Sequence, residues 1–294
     1  MLISEFAPRK RRGFFASLPF VGIQIGTLLG AGTFALLGLA SHDVLYGWLW
    51  RVPFLLGAVL IIVAVVIRMR LKESPRSRPW KRPKRTATPS PAERRQAIST
   101  SRRNILVGIG LRMGENGNSS IYSALLLAYV ASLPAYKGQQ LIGTWGAVVA
   151  ALISIFTVVA FGALSDRVGR VPVYRWGALF TAVFAFPAFW LLTLGQVWLV
   201  LLVMGVGIGI GVQSMLGPQC ALLPELFGNA HRFTGVATAR EFSAVIAGGI
   251  APLVGAALLA ATGNAWWVIA IYSSLLALIS FGSTYATPET EAVA

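Results

Sequence analysis

Residues 161–177 read FGALSDRVGRVPVYRWG, a short turn charged at Asp166, Arg167 and Arg170 and set between two apolar stretches, 141–163 and 172–193. Stretches of that length and character cross a bilayer, and they cross it as helices, because lipid tolerates no unpaired backbone polar groups. Gly162 and Gly169 in the turn allow close helix approach, and its charges can pair across helix ends near the interface. In isolation the same loop would also suit an ordinary charged hairpin.

Six further apolar stretches flank this hairpin, at 14–40, 51–69, 104–131, 196–223, 234–261 and 264–284. The spacing therefore predicts eight membrane helices. Composition agrees: of the 294 residues 56% are hydrophobic and only 12% charged, against about 25% charged in soluble domains. The single cysteine, Cys220, excludes an internal disulfide or a multi-cysteine metal site. The first stretch follows a basic run but is too long for a signal peptide, and more spans come after it.

Net charge is +15, yet the positions of the charges argue against nucleic acid as a partner. Thirteen Lys/Arg and two acids lie between Arg68 and Arg103, and Arg9, Lys10, Arg11 and Arg12 form a second cluster. Alternate loops, at 1–13, 70–103, 164–171 and 224–233, hold nearly all basic residues, whereas 41–50, 132–140 and 194–195 hold only Asp43 and Lys137, with Arg51 at a membrane edge. The positive-inside bias places both termini in the cytoplasm. Trp48, Trp50, Tyr136, Trp266 and Trp267 fall near span ends, as interfacial anchors would. The Pro-rich basic stretch 70–103 cannot bury a core. It reads as a cytoplasmic linker, either a plain connector or a contact for anionic lipid headgroups.

The segment G-x-x-x-D-R-x-G-R at Gly162, Asp166, Arg167, Gly169 and Arg170 resembles the signature of the major facilitator superfamily, which joins the second and third helix of each six-helix half. It stands here between the second and third spans after the basic linker, as a C-terminal half requires. The stretches 4–32, 48–75, 110–123 and 224–259 narrow the resemblance to the metabolite:proton symporter family, whose members carry shikimate, 2-oxoglutarate, citrate, and proline or betaine. Leu49 departs from the family's usual glycine. The resemblance implies a partial fold, eight of twelve helices, in which residues 1–69 end the N-terminal half and 104–285 form the C-terminal half, with 286–294 as a tail. It also implies that four helices and a first copy of the signature are missing, and that these helices are possible partners in trans. The function expected is symport of a small polar metabolite with a proton across the cell membrane by alternating access, without a cofactor. The alternative is a non-transporting fragment or a partner subunit.

Charge inside a membrane costs several kcal/mol on insertion scales, about 2.5–3.5 at the helix centre. Glu115, Asn118, Ser119 and Tyr122 share one helical face of the third span, with Arg112 three residues before Glu115. This stripe fits an aqueous path, Glu115 carrying a proton and Arg112 holding that carboxylate or an anionic substrate; a purely structural pair is the other reading. Arg240 and Glu241, adjacent in the seventh span, read as part of a cytoplasmic gating network with the signature loop, or as substrate or ion contacts. Gln213, Gln219 and, in the first span, Gln24 are candidate lining residues. Gly205 with Gly209, and Gly207 with Gly211, are pairs that permit close helix packing, and Gly217-Pro218 can break or bend the helix. Gly22, Gly26 and Gly30 suggest tight packing of the first span. An enzyme is not expected: His42 and His231 fall on opposite sides of the membrane, and GENGNSS at 114–120 lacks a Walker lysine.

Overall fold

Eight helical segments carry the described residues. The computed structural model describes residues 11–40, 44, 47–70, 91–139 and 141–287, and the side chains of all of these but 91–101 and 228–232. The basic residues up to Lys10, His42 and Asp43, the stretch 71–90 and the tail from residue 288 lie outside the described residues, as does the His231 side chain. The helices are α1 (Arg12–Leu37), α2 (Val52–Arg70), α3 (Pro91–Ser120, continued to Ser132), α4 (Ile142–Val168), α5 (Arg170–Leu192), α6 (Val197–Leu226), α7 (Gly228–Ser243, continued to Ala261) and α8 (Trp266–Ser283). Residues to Gly32 and from Ser101 onward belong to one compact unit, and Thr33–Thr100 to a second.

In the first unit α5 packs against α6 and α8, and α4 against α6. Without a hydrophobic drive between helices in lipid, such packing depends on small residues and buried hydrogen bonds. Both are present. Gly205 and Gly209 turn to α4, where a Cβ would lie 3.0 and 2.6 Å from Ile153, while Gly207 faces Tyr122 and Gly211 faces Thr181. Gly110 and Gly114 of α3 lie against Ser283 and Ser280 of α8, and Ser280 Oγ accepts from Gly114 N (2.6 Å) and donates to the Gly110 (2.7 Å) and Leu111 (2.8 Å) carbonyls. A core of Tyr122, Tyr129, Phe189, Met204 and Leu276 fills one end of this unit, and one of Leu111, Tyr174, Met215 and Leu222 the other. In the second unit Arg51 closes the start of α2, its guanidinium 4.5 Å from the Trp50 ring centroid and bonded to the Gly47 carbonyl at 3.0 Å.

Three expectations need correcting. Seven described helices are long and apolar enough to cross a membrane, not eight. The third segment is helical, but Arg112, Glu115, Asn116, Asn118, Ser119 and Ser120 make it too polar to qualify, and it starts at Pro91, thirteen residues before the predicted 104. Its polar groups are met by neighbouring helices, since Arg112, Glu115 and Asn118 are all buried. Gly22, Gly26 and Gly30 have nothing within 4 Å of a built Cβ, so the first span's glycine stripe packs on no described residue. Gly217-Pro218 does not break α6, and a Cβ at Gly217 would meet the α4 backbone at Val158 and Gly162. Tyr136, in the turn between α3 and α4, is buried, its hydroxyl donating to the Leu192 carbonyl at 2.9 Å.

Among the described residues three helices carry a π-helical turn, at Ile121–Leu125 in α3, Gly207–Val212 in α6 and Ala244–Gly249 in α7. Such turns are rare and gather at functional sites.

Candidate functional site

Arg112 is the hub of the interior. Its Nε donates to Ser243 Oγ of α7 (3.0 Å), Nη1 donates to Gln219 Oε1 of α6 (3.0 Å), and Nη2 lies 3.3 Å from Glu115 Oε2 on its own helix. A guanidinium has five N–H donors in a fixed fork and no acceptor, so one side chain ties three helices together. Glu115 is 7% exposed and meets Arg112 by charge, without an aligned hydrogen bond at Oε2. A buried charge left alone would be strongly destabilising, and the pair removes that penalty.

Two adjoining pockets share Arg112, Phe20, Ile23 and Arg240. The one of about 330 Å³ is lined also by Gln219 and Cys220, and the one of about 380 Å³ by Gln24, Glu115, Ser119 and Gln213. Of the residues singled out in the sequence, Arg112, Glu115, Ser119, Gln213, Gln219 and Gln24 therefore come together. Asn118 and Tyr122 do not line either pocket. Asn118 is fully buried, its Nδ2 donating to the Ser273 carbonyl (3.3 Å) and its Oδ1 accepting from the Ser273 hydroxyl, which fastens α3 to α8. Tyr122 stacks on Phe189 with centroids 5.7 Å apart. Ser243, Phe20 and Asn116 complete the site and were not singled out. Ser243 and Phe20 sit on other helices, and nothing in their local spelling marks them.

The signature loop forms a second constellation. Asp166 Oδ1 accepts from Gly13 N (2.7 Å) and Oδ2 from Phe14 N (2.9 Å), so its carboxylate caps the start of α1. Charge and orphan amides both favour that position. Gly162 permits the approach: a Cβ there would stand 2.7 Å from Ser17 Oγ and 2.9 Å from the Gly13 carbonyl. Gly169, at φ 106°, ends α4 in a conformation that favours glycine. Arg170 forms an ion pair with Glu225 at the end of α6, a partner the sequence did not reveal, while Arg167 is exposed. Arg240 stands apart from this loop, in the pockets beside Arg112, and Glu241 is exposed.

The all-α bundle of membrane-crossing helices, with its D-R-x-G-R loop, fits a partial fold of the major facilitator type. Comparison with known proteins agrees. The profile of the family described as Sugar (and other) transporter matches residues 1–106. The chain is 29% identical over 287 residues to the Shikimate transporter of Escherichia coli, covering 95% of this chain and 64% of that protein. It is 32% identical over 280 residues to the Ectoine/proline transporter ProP of Corynebacterium glutamicum, covering 89% and 54% respectively. With the Inner membrane metabolite transport protein YhjE of Escherichia coli it shares 27% over 311 residues, 99% of this chain and 66% of that one. The chain spans between about half and two thirds of the length of the curated relatives it matches. These kinships point to a membrane transporter and not to an enzyme.

Proposed function

We propose that the chain serves proton-coupled symport of a small polar metabolite, an organic acid or a zwitterion, across the cell membrane, with both termini cytoplasmic. The observation that carries this reading is the buried Arg112–Glu115 pair at the wall of a polar pocket between helices. An ionisable pair inside a membrane bundle marks a substrate or proton path by default. Glu115 takes the proton, and its protonation frees Arg112 from its counter-charge. The π-helical turns support movement, because Ser123 on one and Ile208 and Val212 on another line the pocket. Rocking of helices about such a site is alternating access. The Asp166 cap on α1 and the Arg170–Glu225 pair are then the contacts made and broken at the cytoplasmic side.

The test is uptake into proteoliposomes holding only these 294 residues, with labelled shikimate, 2-oxoglutarate, citrate, proline and betaine. The reading expects saturable uptake that collapses with a proton uncoupler and with Glu115→Gln. Folded, inserted protein that takes up none of these solutes would overturn it.

A further inference from the structure

Lys137 is the one charged residue between Glu115 and Asp166. It stands in the turn from α3 to α4, and about 35 Å of helix separates that turn from Asp166 near the other end of α4. The turn is pinned from below, because Tyr136 sends its hydroxyl to the Leu192 carbonyl at the end of α5 (2.9 Å). Gly138, at φ 86°, then reverses the chain. Lys137 itself is exposed, and no carboxylate is in ion-pair range of it among the described residues. Beside it lies a cavity of about 460 Å³. Lys137, Gln139 and Thr144 form its polar side, and Leu127, Val130 and Ile142 its apolar side. The apolar side runs down into the bundle: Leu127 is five residues, about 7.5 Å, inside the end of α3 at Ser132. α4 begins at Ile142 with no side-chain cap, and its first turn lines the same cavity. Since α3, α4 and α5 all start or stop at this level, the polar side stands where a membrane-crossing bundle meets lipid headgroups.

We propose that this cavity binds an anionic phospholipid, its phosphate at Lys137 and the start of α4, and one acyl chain in the cleft along Leu127, Val130 and Ile142. The charge selects the headgroup. A cation without a counter-ion, beside the positive end of a helix dipole, favours an anion. A zwitterionic lipid would bring an ammonium to Lys137 and lose that advantage. The apolar wall selects the source of the anion. A free phosphate would leave that wall facing water, whereas a bilayer lipid fills it with the hydrocarbon that surrounds the bundle. The site depends on the chain's crossing a membrane and not on what the chain carries.

Photolabelling of the full chain in lipid nanodiscs tests it, with phosphatidylglycerol and phosphatidylcholine probes that carry the same diazirine-bearing acyl chain. Mass spectrometry of the peptides locates the label. In the wild type the phosphatidylglycerol probe should label 127–144 about fivefold more than the phosphatidylcholine probe, the worth of one basic residue beside an anionic lipid. Lys137→Gln should abolish that preference, and Lys137→Arg should keep it. Ala131→Phe, which fills the cleft from the last turn of α3, should lower labelling by both probes. Lys137 and Ala131 are exposed, so these variants leave the packing of the bundle intact. Equal labelling by the two probes, an unchanged preference in Lys137→Gln, or full labelling of Ala131→Phe would each overturn the proposal. Loss of the phosphatidylglycerol label on adding glycerol phosphate would reveal a site for a free anion and overturn it too. Absence of label from 127–144 with both probes would assign the cleft to protein instead of lipid, with the same consequence.

Discussion

Gly13 and Gly162 meet backbone to backbone: a methyl group on Gly13 would lie 2.5 Å from the Gly162 carbonyl oxygen, and one on Gly162 would lie 2.9 Å from the Gly13 oxygen. That approach brings the start of α1 within reach of the Asp166 carboxylate. Gly162→Ala should therefore destabilise the chain by about 1–3 kcal/mol, as overpacking of a close contact does. Asp166→Ala should cost about 0.5–2 kcal/mol by removing the cap. Combined, the two should cost less than their sum, because each undoes the same contact. Thermal unfolding in detergent measures all three, and strict additivity would show that the contact and the cap are independent.

Arg112 makes a second, larger prediction. Arg112→Gln leaves Glu115 buried with no counter-charge, and the loss should reach about 3–5 kcal/mol. Arg112→Met with Glu115→Leu should recover most of it, since a well-packed apolar pair costs no desolvation. A double-mutant cycle read by unfolding separates these effects. A mild single variant and a worse double variant would place the pair in open water instead of in the interior.

The places where the sequence was legible and where it was not have physical reasons. Seven of the eight segments stand out because the apolar length of a span is itself the constraint lipid imposes. The Arg112–Glu115 pair was legible because residues three apart share a helical face. Gln219 and Ser243, which complete that hub, lie 107 and 131 positions away and belong to other helices, so no local pattern announces them. Asp166 was recognisable within its motif, but its receptors, the amides of Gly13 and Phe14, have no side-chain signal at all. Asn118 shared the polar face with Glu115, yet α8 claims it through Ser273, and only packing decides which of two neighbours a stripe addresses. The first span's glycines misled for a related reason: small residues look alike whether or not a neighbouring helix meets them.

Ser280 tests the crossing of α3 and α8. One hydroxyl serves the Gly110 and Leu111 carbonyls and the Gly114 amide. Ser280→Val removes these bonds and adds a methyl where α3 glycines leave no room, so it should cost about 1–3 kcal/mol. Ser280→Ala should cost less, because it opens no clash. Equal unfolding temperatures for Ser280→Val and wild type would mean the two helices separate easily at this point.

Two glycine substitutions should part company. Gly207 is pressed against Tyr122, whose ring atoms would lie 2.8 Å from a new Cβ; the ring is fully buried and stacked on Phe189, so it has nowhere to retreat. Gly207→Ala should destabilise by about 1–3 kcal/mol, and adding Tyr122→Leu should relieve the clash in part. Gly26→Ala adds a methyl where no described atom lies within 4 Å. It should be neutral or should stabilise by up to about 1 kcal/mol, the helix propensity of Ala over Gly. Unfolding of the three variants in one detergent gives the comparison directly. Destabilisation by Gly26→Ala would mean that the glycine stripe of α1 packs closely against a helix after all.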